Sequence, residues 1–546
     1  MDFLKAPTNK QHKTGGAFFV ASGIFISRIL GLARERVFAH YFGNSVAAAA
    51  FKAALRIPNF LQNLFGEGVL SASFIPVYAG LLGEDKQKEA DHVAGAVFGL
   101  LALVVGIFTA AGVFFTPTFI DWIAPGFEAD ARQLAITLVR IIFPGTGLLV
   151  LSAWCLGILN SHRRFFLSYT APVLWNLAII ATLLFCGGAA QEDLARYTAY
   201  GLVIGCVLQF AVQLPSVLKL LGKFRPNLNT TSKSVRQVLR SFGPVVVGRG
   251  VVQLSAYIDT AYASLISTRA LSALAYAQTL YLIPVSLFGM AVSAAELPEM
   301  SQVQGTQDEI AHKLQTRINA GLTRIAFFVV PSIAAFLVLG DVVGGALLQS
   351  GRFNAGDTRY MWYLLIGATV GLLATTMGRL YSSAFYAIKD TKTPLYFATL
   401  RVVLTAGLAY WSAVKLPGKL GIPKELGAVG ITATTGLAAW IEFLLLRFRL
   451  AQRIGTTGVA RETLLKLWGS ALVAAGVGLL IKVFLVHSFG ADIAKGEWGA
   501  TILPMPQFST LLTALSVLMP FGCIYFAACV YFQIPEALSF VRRIRR

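Results

Sequence analysis

Runs of about twenty apolar residues, each closed by a short polar break, recur from one end of this 546-residue chain to the other. A helix needs about 20 such residues to cross hydrocarbon, and in lipid a helix satisfies its own backbone donors and acceptors. The spacing predicts about fourteen spans, near 16–41, 46–82, 93–118, 133–159, 168–187, 197–221, 236–266, 271–299, 318–348, 360–388, 394–414, 426–449, 463–487 and 508–533. The fold class is an all-α polytopic membrane protein. A basic stretch, KLLGKFRPNLNTTSKSVRQVLR, separates the first six spans from the next six, and a faint repeat lies across it. In the second span Ile57-Pro58 is followed by Phe65-Gly66, Ser71 and Pro76; in the eighth, Ile283-Pro284 is followed by Phe288-Gly289, Ser293 and Pro298. An offset of six helices preserves orientation, so the repeat is parallel about the membrane normal, as in transporters that rock two lobes about a midplane site. The predicted division is a first lobe at 1–222, a second at 223–455 and a C-terminal helix pair at 456–546.

Polar positions inside the apolar runs are concentrated between Ser27 and Pro76. This stretch carries Arg28, Arg34, Glu35, Arg36, Lys52, Arg56 and Glu67. An ionisable group in the bilayer costs several kcal/mol, roughly, and so faces a bundle interior or a wet cavity. Helical spacing puts Arg28 and Glu35 on one face of the first span, and Lys52, Arg56, Asn59 and Asn63 in a stripe on the second. Pro58 is expected to break the backbone ladder near Ala54 and bend that helix. Two helices presenting cations to a shared interior suit an anion. Glu35, Arg36 and Glu67 also fit positions near helix ends, where side chains reach the interface, and the same holds for Arg379 and Arg401.

Charge then sets topology. The net charge is +20, yet the cations lie in short breaks on one side, about 26 Lys and Arg against about 9 opposite. This is the positive-inside pattern and calls for no nucleic acid. With an even number of spans, both termini are expected in the cytoplasm. One opposing loop, with Lys415, Lys419 and Lys424, runs against the trend. The five cysteines lie in apolar runs without C-x-x-C spacing, and the six histidines include no i,i+4 pair, so neither disulfides nor a zinc site is expected.

The stretches SRILGLARE, RIPNFLQNLFGEGVLSASFIPV, GILNSHRRFFLSYTAPVLWN, QLSAYIDTAYAS, LIPVSLFGMAVSAAELP, LLQSGRFNAGDT and SSAFYAIKDTKTP, in this order from about residue 16 to about 450, resemble the MurJ (MviN) family. These are bacterial lipid II flippases of the multidrug/oligosaccharidyl-lipid/polysaccharide exporter superfamily. The resemblance implies fourteen helices in two six-helix lobes plus two C-terminal helices that form a groove for a polyprenyl tail. It also implies a cationic cavity for the pyrophosphate and sugar headgroup. By motif position Arg28 and Arg34 match the first-helix arginines of that cavity, Glu35 their acidic neighbour and Arg56 the second-helix cation. Asp259 matches a seventh-helix acid that some members use toward sodium, and Asp390 a tenth-helix acid. The chain departs from the pattern at three places. Thr279 stands where the eighth helix carries an arginine, Ala49 where an acid is frequent, and Lys52 where an aromatic is usual.

The expected activity is translocation of lipid II, an undecaprenyl-pyrophosphate-linked disaccharide-pentapeptide, across the bacterial inner membrane by alternating access. The candidate substrate-binding residues are Arg28, Arg34, Glu35, Lys52, Arg56, Asn59 and Thr279, with Lys52 supplying the cation that Thr279 does not. Asp259 and Asp390 are the ion-coupling candidates, toward Na+ or a response to membrane potential, with no other metal or cofactor expected. The partners expected are lipid II and membrane lipids, with the chain a monomer. No Walker A motif is present. The alternatives are an exporter of another polyprenyl-linked glycan or of small molecules in the manner of the MATE transporters. A membrane-embedded glycosyl- or phosphotransferase is disfavoured, because no cluster of carboxylates or histidines is visible.

Overall fold

The computed structural model describes residues 11–492, 505–506 and 509–544; the side chains of 11–25 and of a few other positions, Arg249 among them, lie outside that description. In chain order the helices are α1 (Gln11–Phe42), α2 (Val46–Phe65), α3 (Glu67–Gly83), α4 (Gln87–Phe114), α5 (Thr116–Ile123), α6 (Ala129–Ser161), α7 (Phe165–Cys186), α8 (Gln191–Leu220), α9 (Lys233–Ile266) and α10 (Thr268–Pro284). They continue as α11 (Ala291–Ser301), α12 (Gln307–Leu348), α13 (Ala355–Ala387), α14 (Lys392–Tyr410), α15 (Leu416–Leu420), α16 (Gly427–Ile454), α17 (Arg461–Phe489), α18 (Thr510–Tyr531) and α19 (Pro535–Ile544). Twelve segments among the described residues are long and apolar enough to cross a membrane. Two further helices, α1 with 32 residues and α9 with 34, have crossing length, so each of the fourteen expected spans falls on its own helical segment.

The described residues form two compact units. One holds those up to Tyr41, then Ala50–Ile123 and Glu128–Gln253; the other holds Phe42–Ala49, Ala124–Phe127 and those from Leu254 on. In the first unit α6 is the central element, buried along most of its length. Its polar side chains are spent inward: Ser152 donates to Gln213 of α8 at 2.6 Å and accepts from Gln209 at 3.0 Å, while the Trp154 indole donates to the Ala94 carbonyl of α4 at 3.1 Å. The basic stretch after α8 is tied down as well. Asp91 of α4 accepts from the backbone N–H groups of Gly222 and Lys223, both at 3.1 Å, and Asn227 N–H bonds the Gly95 carbonyl at 3.3 Å.

The second span is interrupted at Gly66. The helix runs through Pro58 unbroken to Phe65, and the chain leaves helical geometry at Gly66. A Cβ at Gly66 would stand 2.2 Å from the Gln62 carbonyl oxygen, so only glycine allows that close approach. The corresponding span of the second unit is interrupted by a π-helical turn, Val285–Met290, directly after Pro284. Both members of the faint repeat are thus discontinuous spans, a feature that often marks functional sites.

The second unit is held by close helix approach. A Cβ on Gly371 of α13 would lie 2.4 Å from the Gly436 Cα of α16, so the two backbones meet directly, as small residues permit in membranes. Gly340 of α12 similarly admits the Trp362 ring, and Gly478 of α17 admits Leu339. Between α12 and α17 lies an ion pair that the apolar patterning did not reveal. The Lys482 ammonium donates to the Asp341 carboxylate, with side chains 1% and 4% exposed, and Lys482 stands 5.5 Å over the Trp362 ring.

Candidate functional site

The acid expected near an interface, Glu35, is the best-buried charge of the first span, 7% exposed. Phe38, Ala39 and Phe42 are buried after it on α1. Both carboxylate oxygens are committed: Arg34 Nη2 donates to Oε1 at 2.7 Å, and Lys52 Nζ of α2 donates to Oε2 at 2.5 Å. Aromatic faces complete the enclosure. The Arg34 guanidinium lies 4.6 Å from the centre of the Trp175 ring of α7, and the Lys52 ammonium 4.6 Å from that of Phe38. A guanidinium stacked on an indole is held flat while its remaining N–H groups stay available.

Arg56 follows Lys52 by one helical turn and lies within its electrostatic reach. Arg34 and Lys52 thus share one carboxylate, with Arg56 beside Lys52. Arg28, expected to share the Glu35 face, is exposed, two turns before Glu35. Asn59 is exposed on α2, and Asn63 donates to Gln253 at 3.3 Å. The structure therefore brings Arg34, Glu35, Lys52 and Arg56 together, with Arg28 and Asn59 on the exposed surface. Trp175 and Phe38 are the additions that sequence reasoning did not make.

The remaining candidates lie in the second unit and are dispersed. Thr279 spends its hydroxyl on the Ala275 carbonyl of its own helix at 3.1 Å. Asp259 is 7% exposed and accepts from the Thr435 hydroxyl of α16 at 3.2 Å. Asp390 sits in the turn before α14, where it accepts from Thr393 N–H at 3.0 Å, the Thr393 hydroxyl at 2.8 Å and Arg453 at 2.7 Å. Burial works against its charge, but the bonds from Thr393 and Arg453 outweigh that and hold the carboxyl below its usual range. That is the chemistry of a helix cap. Arg401, expected to reach a membrane surface, instead donates to Glu442 of α16 at 3.1 Å from the middle of α14. Glu442 lies seven residues beyond Thr435, two turns along the same face, so the two polar contacts are stacked on α16.

A family model described as lipid II flippase MurJ matches residues 38–494 of this chain. The lipid II flippase MurJ of Burkholderia cenocepacia is 30% identical over 475 residues, covering 84% of this chain and 89% of that protein. A probable lipid II flippase MurJ of Rickettsia prowazekii is also 30% identical, over 426 residues, covering 77% of this chain and 80% of its own. Among solved structures, the inward closed conformation of lipid II flippase MurJ superposes with a TM-score of 0.74 at 24% identity, covering 94% of this chain and 99% of that one. An inward-facing MATE family transporter of the MOP superfamily gives 0.61 at 19% identity, over 81% of this chain. With the family model spanning most of its length and relatives matched over more than three quarters of it, the chain belongs to the lipid II flippase MurJ family.

Proposed function

We propose that this multi-pass protein of the bacterial inner membrane carries the headgroup of lipid II from the cytoplasmic to the outer face. The observation that supports this most is the Arg34–Glu35–Lys52–Arg56 group, guanidinium and ammonium side chains brought together with one carboxylate within apolar spans. A pyrophosphate is too highly charged to enter hydrocarbon unaided. Guanidinium forks offer it bidentate, charge-assisted bonds, and a wet cavity spares the sugars their desolvation. The polyprenyl tail stays in lipid, along the C-terminal pair α17 and α18, while two lobes alternate between inward and outward openings. In this reading Glu35 is an internal counterion: it holds Arg34 and Lys52 while no substrate is bound, and yields Arg34 when a phosphate competes for it. Growth of a strain depleted of its own lipid II flippase tests the function. Expression of this chain is expected to restore growth, and failure of a correctly inserted chain to do so overturns the reading.

Coupling is assigned to the second unit. Asp259 and Thr435 present oxygen donors, the ligand type that suits a hard monovalent cation. They would hold Na+ there and link its gradient to the cycle, with the membrane potential acting on net charge as the other source of bias. Asp259→Asn is expected to weaken the sodium dependence of transport while insertion is unchanged. An unaltered sodium response assigns Asp259 a structural role. Loop charge further supports cytoplasmic termini: a reporter active only in the periplasm, fused after Arg546, is expected to stay silent. The chain is proposed to work as a monomer.

A further inference from the structure

Within the second unit, α12 bends at a place its own sequence does not dictate. Pro331, which lacks a backbone donor, is passed in helical geometry, whereas Leu339 leaves it with φ −125° and ψ 18°. The neighbouring helices impose the bend. From α13, the Trp362 indole donates at 2.9 Å to the Phe336 carbonyl, which in a regular helix takes the Gly340 N–H. An outside group set into the ladder is a known cause of kinks. From α17, the bare face of Gly478 receives Leu339, whose Cδ1 lies 2.8 Å from where a Cβ would stand. One turn along the same face of α17, Lys482 donates to Asp341 and stands 5.5 Å over the Trp362 ring.

Asp341 acts on both sides of this bend. Its Oδ2 takes the ammonium, and its Oδ1 accepts the Val342 N–H at 2.8 Å, a donor at the start of the final segment Asp341–Leu348, about 12 Å long. A buried ion pair is a poor way to hold two helices together, since apolar residues of similar volume often serve as well or better. Ionisable groups within a span are costly, and those retained there usually have a function. The best-attested use of a buried pair is to set a register or a switch. A bend made by neighbours relaxes when those neighbours part, which a bend made by proline cannot do. We infer that Asp341 and Lys482 are positioning residues of the transport cycle: they hold α12 bent at Leu339 in one state and let its final segment realign in the other. They act through α12 and α17 and touch no substrate. This rests on the alternating lipid II transport proposed above.

The test variant is Asp341→Leu with Lys482→Met, which removes both charges while keeping the site filled. Purified at full length in phosphatidylcholine nanodiscs, it is expected to retain undecaprenyl pyrophosphate as the wild type does. In cells depleted of their resident flippase, at equal abundance in the membrane, it is expected to leave lipid II headgroup exposure at the outer face as low as in cells without the chain. Exposure at the wild-type level overturns the inference. So does a parallel loss of probe retention, which would place the defect in binding. Should the double variant not fold, hydrogen exchange of the wild type decides. Adding undecaprenyl pyrophosphate is expected to change amide exchange over Phe336–Leu348 at least fivefold and to leave Gln307–Arg324 as it was; an unchanged rate over Phe336–Leu348 overturns the inference. The wild type separates this inference from its basis. If it neither retains the probe nor exposes headgroups, the substrate reading fails and the role of the pair fails with it. If it does both and the double variant does the same, the pair alone is excluded.

Discussion

Lys52→Ala is expected to abolish rescue of a lipid II flippase depletion strain while leaving the chain in the membrane. The ammonium is one of two cations on Glu35, 2.5 Å from it, in a pair whose side chains are only 11% and 9% exposed. Without it, Glu35 keeps a single partner and draws Arg34 into a closed pair, so the arginine is no longer offered to substrate. Truncating one member of a desolvated charge pair costs about 2–5 kcal/mol, much of it from the partner left behind. This predicts a specific remedy. Lys52→Ala combined with Glu35→Gln removes both members of the pair, releases Arg34, and is expected to recover most of the lost rescue. If Lys52 instead binds the pyrophosphate itself, making up for Thr279, that double variant stays inactive and Lys52→Ala with Thr279→Arg recovers. Rescue by this second combination and not the first would overturn the counterion role.

The largest effect on stability is expected at Asp341 and Lys482. Their pair is drier than the one around Glu35, with Lys482 entirely buried. Removing one partner of such a pair costs about 3–5 kcal/mol because the other charge is stranded, whereas replacing both by apolar groups is often neutral. Asp341→Leu or Lys482→Met alone is therefore expected to lower the yield of folded protein severely, and the double variant to restore it. Measured by detergent-extracted monodisperse protein, equal losses in the single and double variants would show that the pair contributes through its charges rather than through burial. The energetic logic also explains the location. The pair ties α17, the first helix of the C-terminal couple, to α12.

What the sequence made legible follows from how strictly hydrocarbon constrains a chain. Apolar runs of crossing length had to be helices, so the segments, and the concentration of charged side chains on the first two of them, could be read before any coordinates. Partnership was not legible, because it depends on which faces meet. Glu35 looked like an interface residue until Lys52 of the next helix was seen to reach it. Arg401 likewise looked like a side chain bound for the surface, with Glu442 forty-one residues away. Trp175 was one aromatic in an apolar run, and nothing local said that a guanidinium lay on it. Lys482 and Asp341 carried a usable signal, each being an isolated charge deep in a span, but one unrelated to the motifs that drew attention elsewhere. Proline removes a backbone donor, so a bend is expected at Pro58. The helix tolerates that loss and breaks at Gly66, where the absence of a side chain permits a contact no other residue makes.

The central claim is that this chain moves the lipid II headgroup across the inner membrane. It is tested most directly by depleting the resident flippase in cells that express this chain, and measuring the share of lipid II headgroups open to a membrane-impermeant reagent at the outer face. The account predicts that the accessible share stays at the undepleted level with the wild-type chain and falls with Arg34→Ala at equal abundance in the membrane. A fall with the wild-type chain, correctly inserted and present at that same abundance, would contradict it.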